Sequence, residues 1–241
     1  MGYIWHQIEA AWPLIWVPGG YVQETTVTTL QVAFVATGSA LVIGLPAGLA
    51  LGLGRFRGRH TLQTLAYVSL GVPPVLVGIV VLLLLLRGGL LGGLQIVFTV
   101  RAIYVAQTLL ALPYVVALTP AAIGTLPPGL IQQARALGAG RRQVAFLALR
   151  EARIGVIAVA IAALASTLSE VAAVIIVGAN VVDADQTLGS AIVYQTSSTD
   201  NIPQALALGI VLLALIFVLI GLLTVLQQRS RARLRWRVAQ L

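Results

Sequence analysis

Glu170 is the one ionisable group inside the long apolar run of residues 154–182. A charged side chain at the centre of a bilayer costs roughly 2.5–3.5 kcal/mol on insertion scales. Its carboxyl group must therefore face protein or water, or take up a proton. At helical spacing Ser166, Ser169, Glu170 and Ala173 share one face, which is small and polar and suits a cavity or a close helix contact. Three roles stay open for Glu170: a structural partner for a backbone donor or an outer arginine, a gate or conformational lock, and a proton carrier. If the charge itself is functional, Glu170→Gln should keep assembly and damage activity. A second constellation is "GVPPVLVG". Pro73 and Pro74 remove two backbone donors and force a bend, and Gly71 and Gly78 leave room for a neighbouring backbone. A packing kink and a bend lining a pathway both fit. The third is "QQARALGAGRRQVAFLALREAR", residues 132–153, with five arginines around Gly138-Ala139-Gly140.

Several chemistries are excluded. The chain has no lysine, and a phosphate-binding P-loop needs one, so this chain does not hydrolyse ATP in that way. It has no cysteine, so neither a disulfide nor a thiolate metal site is available. No metal site and no bound cofactor are expected.

The elements that must hold these residues are set by hydropathy. Only 9% of the 241 residues are charged, against about 25% in a soluble domain. A bilayer-spanning helix needs about 20 mostly apolar residues. The intervals between charges hold five such spans, at about 25–53, 62–86, 102–126, 154–177 and 203–226. The fold class is all-α integral membrane. Pro46 should kink the first span. The third ends at the helix stop "TLPPG".

Residues 1–24, with Trp5, Trp12 and Trp16, read as a segment lying along the outer interface. The long polar stretch "NVVDADQTLGSAIVYQTSSTDN", residues 180–201, allows a short half-sunk helix over 187–194. The net charge of +8 is segregated by loop rather than spread as in a nucleic-acid binder. Residues 55–59, the 132–153 segment and the tail 227–241 together carry thirteen of the fifteen arginines. All three fall on one side of a five-span bundle, and the positive-inside rule makes that side the cytoplasm. The N-terminus is then outside and the C-terminus inside. The tail arginines, Arg229 to Arg237, fit topology and anionic lipid, and Trp236 fits an interfacial anchor.

Residues 129–137 favour helix, Gly138-Ala139-Gly140 breaks it, and 141–150 resume a helical pattern with Val144, Phe146, Leu147 and Leu149 as the apolar set. Glycine supplies the backbone angles of a corner. A short helix, a sharp turn and a second short helix make a protruding docking shape flanked by Arg141 and Arg142.

"ALGAGRRQVAF" resembles the Gly-centred loop of importer permeases of the ATP-binding cassette class. That motif is roughly Glu-Ala-Ala, three residues, Gly, nine residues, Ile, one residue, Leu-Pro. Ala134 and Gly138 match. Gln132 and Gln133 stand at the Glu and first Ala, and Ala148, Arg150 and Glu151 replace the Ile and Leu-Pro positions. With "LGVPPVLVG", "AQTLLALPYVVALT", "LREARIGVIAVAIAAL" and "SEVAAVIIVGANV" in this order, residues 25–226 are similar to the tungstate-type oxyanion permeases, relatives of the molybdate permease.

The resemblance implies a type I importer permease fold with a methionine-importer-like core. It implies that residues 129–152 are a coupling loop, with Ala134, Leu137, Gly138, Ala139, Arg141 and Arg142 docked on a cytoplasmic ATPase dimer. ATP and Mg would sit on that partner, and an extracytoplasmic oxyanion-binding protein would deliver the cargo. The setting would be a bacterial or archaeal cytoplasmic membrane. Candidates for the path and its gate are Pro73, Pro74, Gly78, Ser166, Ser169, Glu170 and Gly178. Five spans make a thin bundle, so the path is expected between two copies in a homodimer. Tungstate is the first expectation, with molybdate, sulfate or phosphate behind it. An ion-coupled carrier or channel is the alternative from another class, but no selectivity-filter pattern, paired intramembrane charge or repeated half supports it. A non-transporting scaffold would not require the basic corner.

Overall fold

The computed structural model describes residues 2–238, and among them the chain is entirely helical, with no strand. Three helices are long and apolar enough to cross a bilayer unbroken: α2 (Tyr21–Leu53), α5 (Val100–Gly124) and the first 27 residues of α11 (Ile202–Val238). At 1.5 Å per residue α2 is about 50 Å long. The remaining helices are α1 (Gly2–Ile15), α3 (Arg59–Ser69), α4 (Pro74–Leu85), α6 (Leu130–Ala136), α7 (Arg141–Glu151), α8 (Arg153–Ser169), α9 (Ala172–Gly178) and α10 (Leu188–Ser197). Counting α3–α4 and α7–α8, bent by 101° and 76°, as one span each gives five.

Packing of α2 on α5 is the most extensive in the bundle. Gly44, Gly48 and Gly52, one helical turn apart, face Val115, Thr119 and Ile123, also one turn apart. A Cβ on Gly48 would lie 2.5 Å from the Thr119 Cβ, so the two backbones approach as closely as side-chain-free positions permit. Pro46 lies within this row, yet α2 continues through it without a break. Pro113 and Pro120 are likewise contained in α5.

Several threonines in the spans satisfy their hydroxyls locally. Thr25 donates to the Tyr21 carbonyl at 2.7 Å and Thr29 to the Thr25 carbonyl at 2.7 Å. Such back-bonding keeps hydroxyls paired where water is absent. Thr29 also accepts from the Leu188 N–H at 2.8 Å, pinning α10 to α2. Thr187 and Ser190 cap α10 reciprocally, with the Thr187 N–H on the Ser190 hydroxyl at 3.0 Å. The α10 helix is thus anchored and largely buried. Ala11 of α1 is fully buried with Leu188, Ala207 and Leu208, so α1 packs against α11. Side chains of the arginine tail, Trp236 among them, lie outside the described residues.

One expected span is interrupted where the sequence places a bend, and another where it places none. The second span is not one helix over 62–86. It breaks between Leu70 and Pro73, because Pro73 and Pro74 offer no N–H to the preceding turn and Gly71 has no side chain to pack. The fourth is not continuous over 154–177. It opens at Glu170, whose backbone is extended at φ −85° and ψ 129°.

Candidate translocation cavity and coupling corner

The two breaks face each other. Ser69 to Pro74 from the first, and Ser166, Ser169 and Glu170 from the second, line one cavity of about 650 Å³. Its third wall is the middle of α5, including Pro113 and Tyr114. A helix break deep in a bundle leaves backbone donors and acceptors unmatched, and such breaks are tolerated where they line a cavity. Of the predicted path residues, Pro73, Pro74, Ser166, Ser169 and Glu170 come together here. Gly78 and Gly178 do not belong to the lining. Gly78 lies against the backbone of α9, where a Cβ would sit 3.0 Å from the Ala173 Cα. Gly178 is packed under Ile103 and Asp185.

The break changes what Glu170 does. With α8 ending at Ser169, Glu170 does not share a helical face with Ala173. It bends forward instead, and its Oε1 accepts the Ala173 N–H at 3.0 Å. That is the geometry of an N-terminal cap, in which a side-chain oxygen satisfies one of the first free N–H groups of a helix. The carboxyl group is half-buried and supports α9, which leans on α4 through Gly78. The other polar groups of the wall are the hydroxyls of Ser69, Ser166, Ser169 and Tyr114, and no arginine is among the lining residues. The cavity wall thus carries hydroxyl groups and one carboxyl group, that of Glu170, and no cation.

At the far end of α5, Gly129 opens α6 and Gly138 closes it. The Gly138 N–H donates to the Arg135 carbonyl at 3.0 Å, and the Ala139 N–H to the Ala134 carbonyl at 3.0 Å. This paired arrangement requires a left-handed residue, and Gly138 has φ +85°. Gln143 then reaches back to accept the Gly140 N–H at 2.8 Å, fixing the start of α7. The corner so built holds Leu137 outward at 89% exposure, with Arg141 and Arg142 beside it. Val144 and Ala148 are the buried row of α7, whereas Phe146, grouped with the apolar set in the sequence, projects outward at 69% exposure. Leu137 and Phe146 are two apolar knobs on a basic surface.

Two features escaped the sequence reading. The Gly44-Gly48-Gly52 row has a spacing that marks close helix approach, and it was legible as such. Asp185 is only 2% exposed, its Oδ1 accepts the Val181 N–H at 2.6 Å, and its Oδ2 has no partner among the described residues. Burial pushes its carboxyl above the ordinary aspartate range, and the N–H groups of Val181 and Asn180 oppose that shift. Only the fold could reveal this burial, since "DADQT" reads as a solvated loop.

Broken apolar spans around a cavity, with a separate exposed basic corner, are the architecture of a helical membrane permease. The family is narrower. The chain matches "Binding-protein-dependent transport system inner membrane component" over residues 44–232, and it belongs to that family. It is therefore a membrane permease subunit of an ATP-binding cassette importer, located in a prokaryotic inner membrane, and ATP hydrolysis resides on a separate subunit. An ATPase and a binding protein are its partners by family.

It is 37% identical over 201 residues to the "Probable anion ABC transporter permease protein" of Haloferax volcanii, covering 81% of this chain and 86% of that one. It is 31% identical over 228 residues to the tungstate uptake system permease protein TupB of Peptoclostridium acidaminophilum, covering 95% and 100%. It is 28% identical over 208 residues to the molybdenum transport system permease protein ModB of Escherichia coli K12, covering 82% and 91%. The permease of an inward-facing MetNI methionine transporter superposes with a TM-score of 0.63 at 22% identity, covering 91% of this chain and 97% of the other. The fold is that of a type I importer permease.

Proposed function

We propose that this chain forms, as a homodimer, the membrane path of a tungstate importer. Its N-terminus lies outside, its C-terminus inside, and its 129–152 segment docks on the ATPase. The observation that carries the transport reading is the meeting of the two broken spans at one cavity. The lining carries no cation, and its one carboxyl group is turned to the N–H groups of α9, which supports passage of an anion delivered by another protein. A fixed arginine there would hold a divalent oxyanion too tightly to release it, and conduction needs binding weak enough to leave. Tungstate is favoured by the near full-length similarity to a tungstate permease.

The corner at Leu137–Arg142 has the shape and chemistry of a coupling element, with Leu137 and Phe146 as knobs for an apolar groove and the arginines for its acidic rim. The test is elemental. In a deletion strain exposed to nanomolar oxyanion with excess sulfate, cellular tungsten and molybdenum are measured by mass spectrometry. Tungsten accumulation should be lost, restored by this chain, and not restored by its Gly138→Trp form. A fall in molybdenum alone would replace the anion and leave the architecture. No change in either would reject the oxyanion reading.

A further inference from the structure

Beside the coupling corner lies a second cavity, of about 1060 Å³, that the transport path does not use. Its accessible floor is apolar, with Pro46, Ala50 and Leu53 of α2 over the buried Leu49 and Val144, and its rim carries Arg55, Arg135, Arg141 and Arg142. No acidic side chain lines it. The lining reaches back along α2 to Pro46, about 10 Å of helix before Leu53. The trough thus descends from a cationic rim toward the hydrocarbon layer. The start of α7 opens into the same rim. Gly140 brings no side-chain cap, so N–H groups of this 11-residue helix are directed at the space the arginines surround.

We propose that this trough binds an anionic glycerophospholipid. The phosphate sits between Arg55 and Arg135 at the α7 N-terminus, leaving Arg141 and Arg142 on the outer rim for the ATPase, and an acyl chain lies along Pro46, Ala50 and Leu53. Charge complementarity selects the headgroup, because basic pockets between membrane helices on this side favour anionic lipid. The apolar floor selects a lipid over a free anion, which would leave that surface uncovered. A side chain of the ATPase would have to enter the hydrocarbon layer to fill it. The bound lipid would wedge the end of α2 against the corner, so that the composition of the adjacent leaflet bears on coupling. The inference rests on the membrane placement of α2 and is independent of which anion is carried.

The test uses the full-length permease purified with its ATPase subunit and delipidated in neutral detergent. Phosphatidylglycerol and phosphatidylcholine with the same acyl chains are titrated in and followed by native mass spectrometry. The expected result is a saturable phosphatidylglycerol adduct on each permease chain, with phosphatidylcholine retained more weakly. Arg55→Gln should weaken phosphatidylglycerol retention about fivefold, as expected for one cationic contact near a surface. Ala50→Phe, which places a ring in the trough, should weaken both lipids while the complex with the ATPase persists in the same spectrum. Millimolar inorganic phosphate should not displace the lipid. Equal retention of the two lipids would overturn the proposal. So would unchanged retention in both variants, displacement by inorganic phosphate, or a preference that follows glutamine replacement of the tail arginines and not Arg55. Because lipid retention is read without transport, its failure is distinct from failure of the tungstate assignment.

Discussion

Glu170 works through an oxygen rather than through its position on a helical face. Its carboxyl accepts the Ala173 N–H at the start of α9, and a glutamine at this position still offers an oxygen. Glu170→Gln should therefore keep the thermal stability of the permease and close to wild-type uptake. Glu170→Ala should lower stability by about 0.5–2 kcal/mol, the usual cost of a lost cap. Melting in detergent and tungsten uptake measure the two. Loss of uptake in a fully stable Glu170→Gln protein would show that the charge, not the cap, is what transport requires. Asp185 makes the opposite case, since its burial disfavours the charged form. A carboxyl raised in the folded state stabilises below its unfolded value, near 3.9, and that contribution is lost as pH rises through the folded value. At neutral pH Asp185 is thus a net burden. Asp185→Asn keeps an oxygen for the Val181 N–H, so it should melt higher than the parent at pH 7. The gap should close as the pH falls toward about 4. A gap that is the same at both pH values would remove burial of the charge as its cause.

The α2–α5 pair is the element on which the cavity's third wall depends, and its glycine row makes a sharp prediction. A Cβ at Gly48 meets the Thr119 Cβ at 2.5 Å, whereas a Cβ at Gly38, ten residues earlier on the same helix, meets nothing within 4 Å. Gly48→Ala should cost about 1–3 kcal/mol through forced separation of the helices. Gly38→Ala should be neutral or slightly stabilising, because alanine favours helix. Thermal melting of the two variants in one detergent decides it, and equal destabilisation would mean that the close approach is not what holds the pair. Some elements were open to a reader of the sequence because a residue type enforces them. Pro73-Pro74 cannot continue a helix, and Gly138 supplies the left-handed corner. The break at Glu170 was hidden. Ser169-Glu170-Val171-Ala172 contains no proline or glycine and reads as uninterrupted helix. Tertiary context opens it, with α9 leaning on α4 at Gly78 and the Glu170 oxygen replacing a lost backbone bond. Periodicity grouped Ser166, Ser169, Glu170 and Ala173 on one face suited to a cavity or a close helix contact; the first three line the cavity, whereas Ala173 lies against Gly78, and the continuous helix behind the grouping does not exist.

At the scale of the whole molecule, the proposed function has to couple two separate places, the cavity between the broken spans and the corner at Gly138. Under the proposed function the corner meets the ATPase and the cavity meets the anion, so transport requires that movement of one be carried to the other. The carriers are α5, which runs from the Pro113–Tyr114 wall to the turn before α6, and α7–α8, bent by 76° between the corner and the second break. A chain without cysteine allows this to be read cleanly. Ser169→Cys places a thiol on the cavity wall, and Val42→Cys places one on an outward face of α2 that is 76% exposed in the single chain and lies within an apolar span. In the reconstituted complex, a water-soluble thiol reagent should modify Ser169→Cys at a rate that changes between the nucleotide-free and ATP-bound states. Val42→Cys should react slowly in both, since lipid or a second copy covers it. Adding Gly138→Trp, which forces a bulky L-residue into φ +85°, should leave Ser169→Cys reactive but abolish its dependence on nucleotide. If that dependence survives with a distorted corner, the drive enters the membrane domain elsewhere. If Ser169→Cys never reacts while the complex transports, the cavity between the two breaks is not on the path.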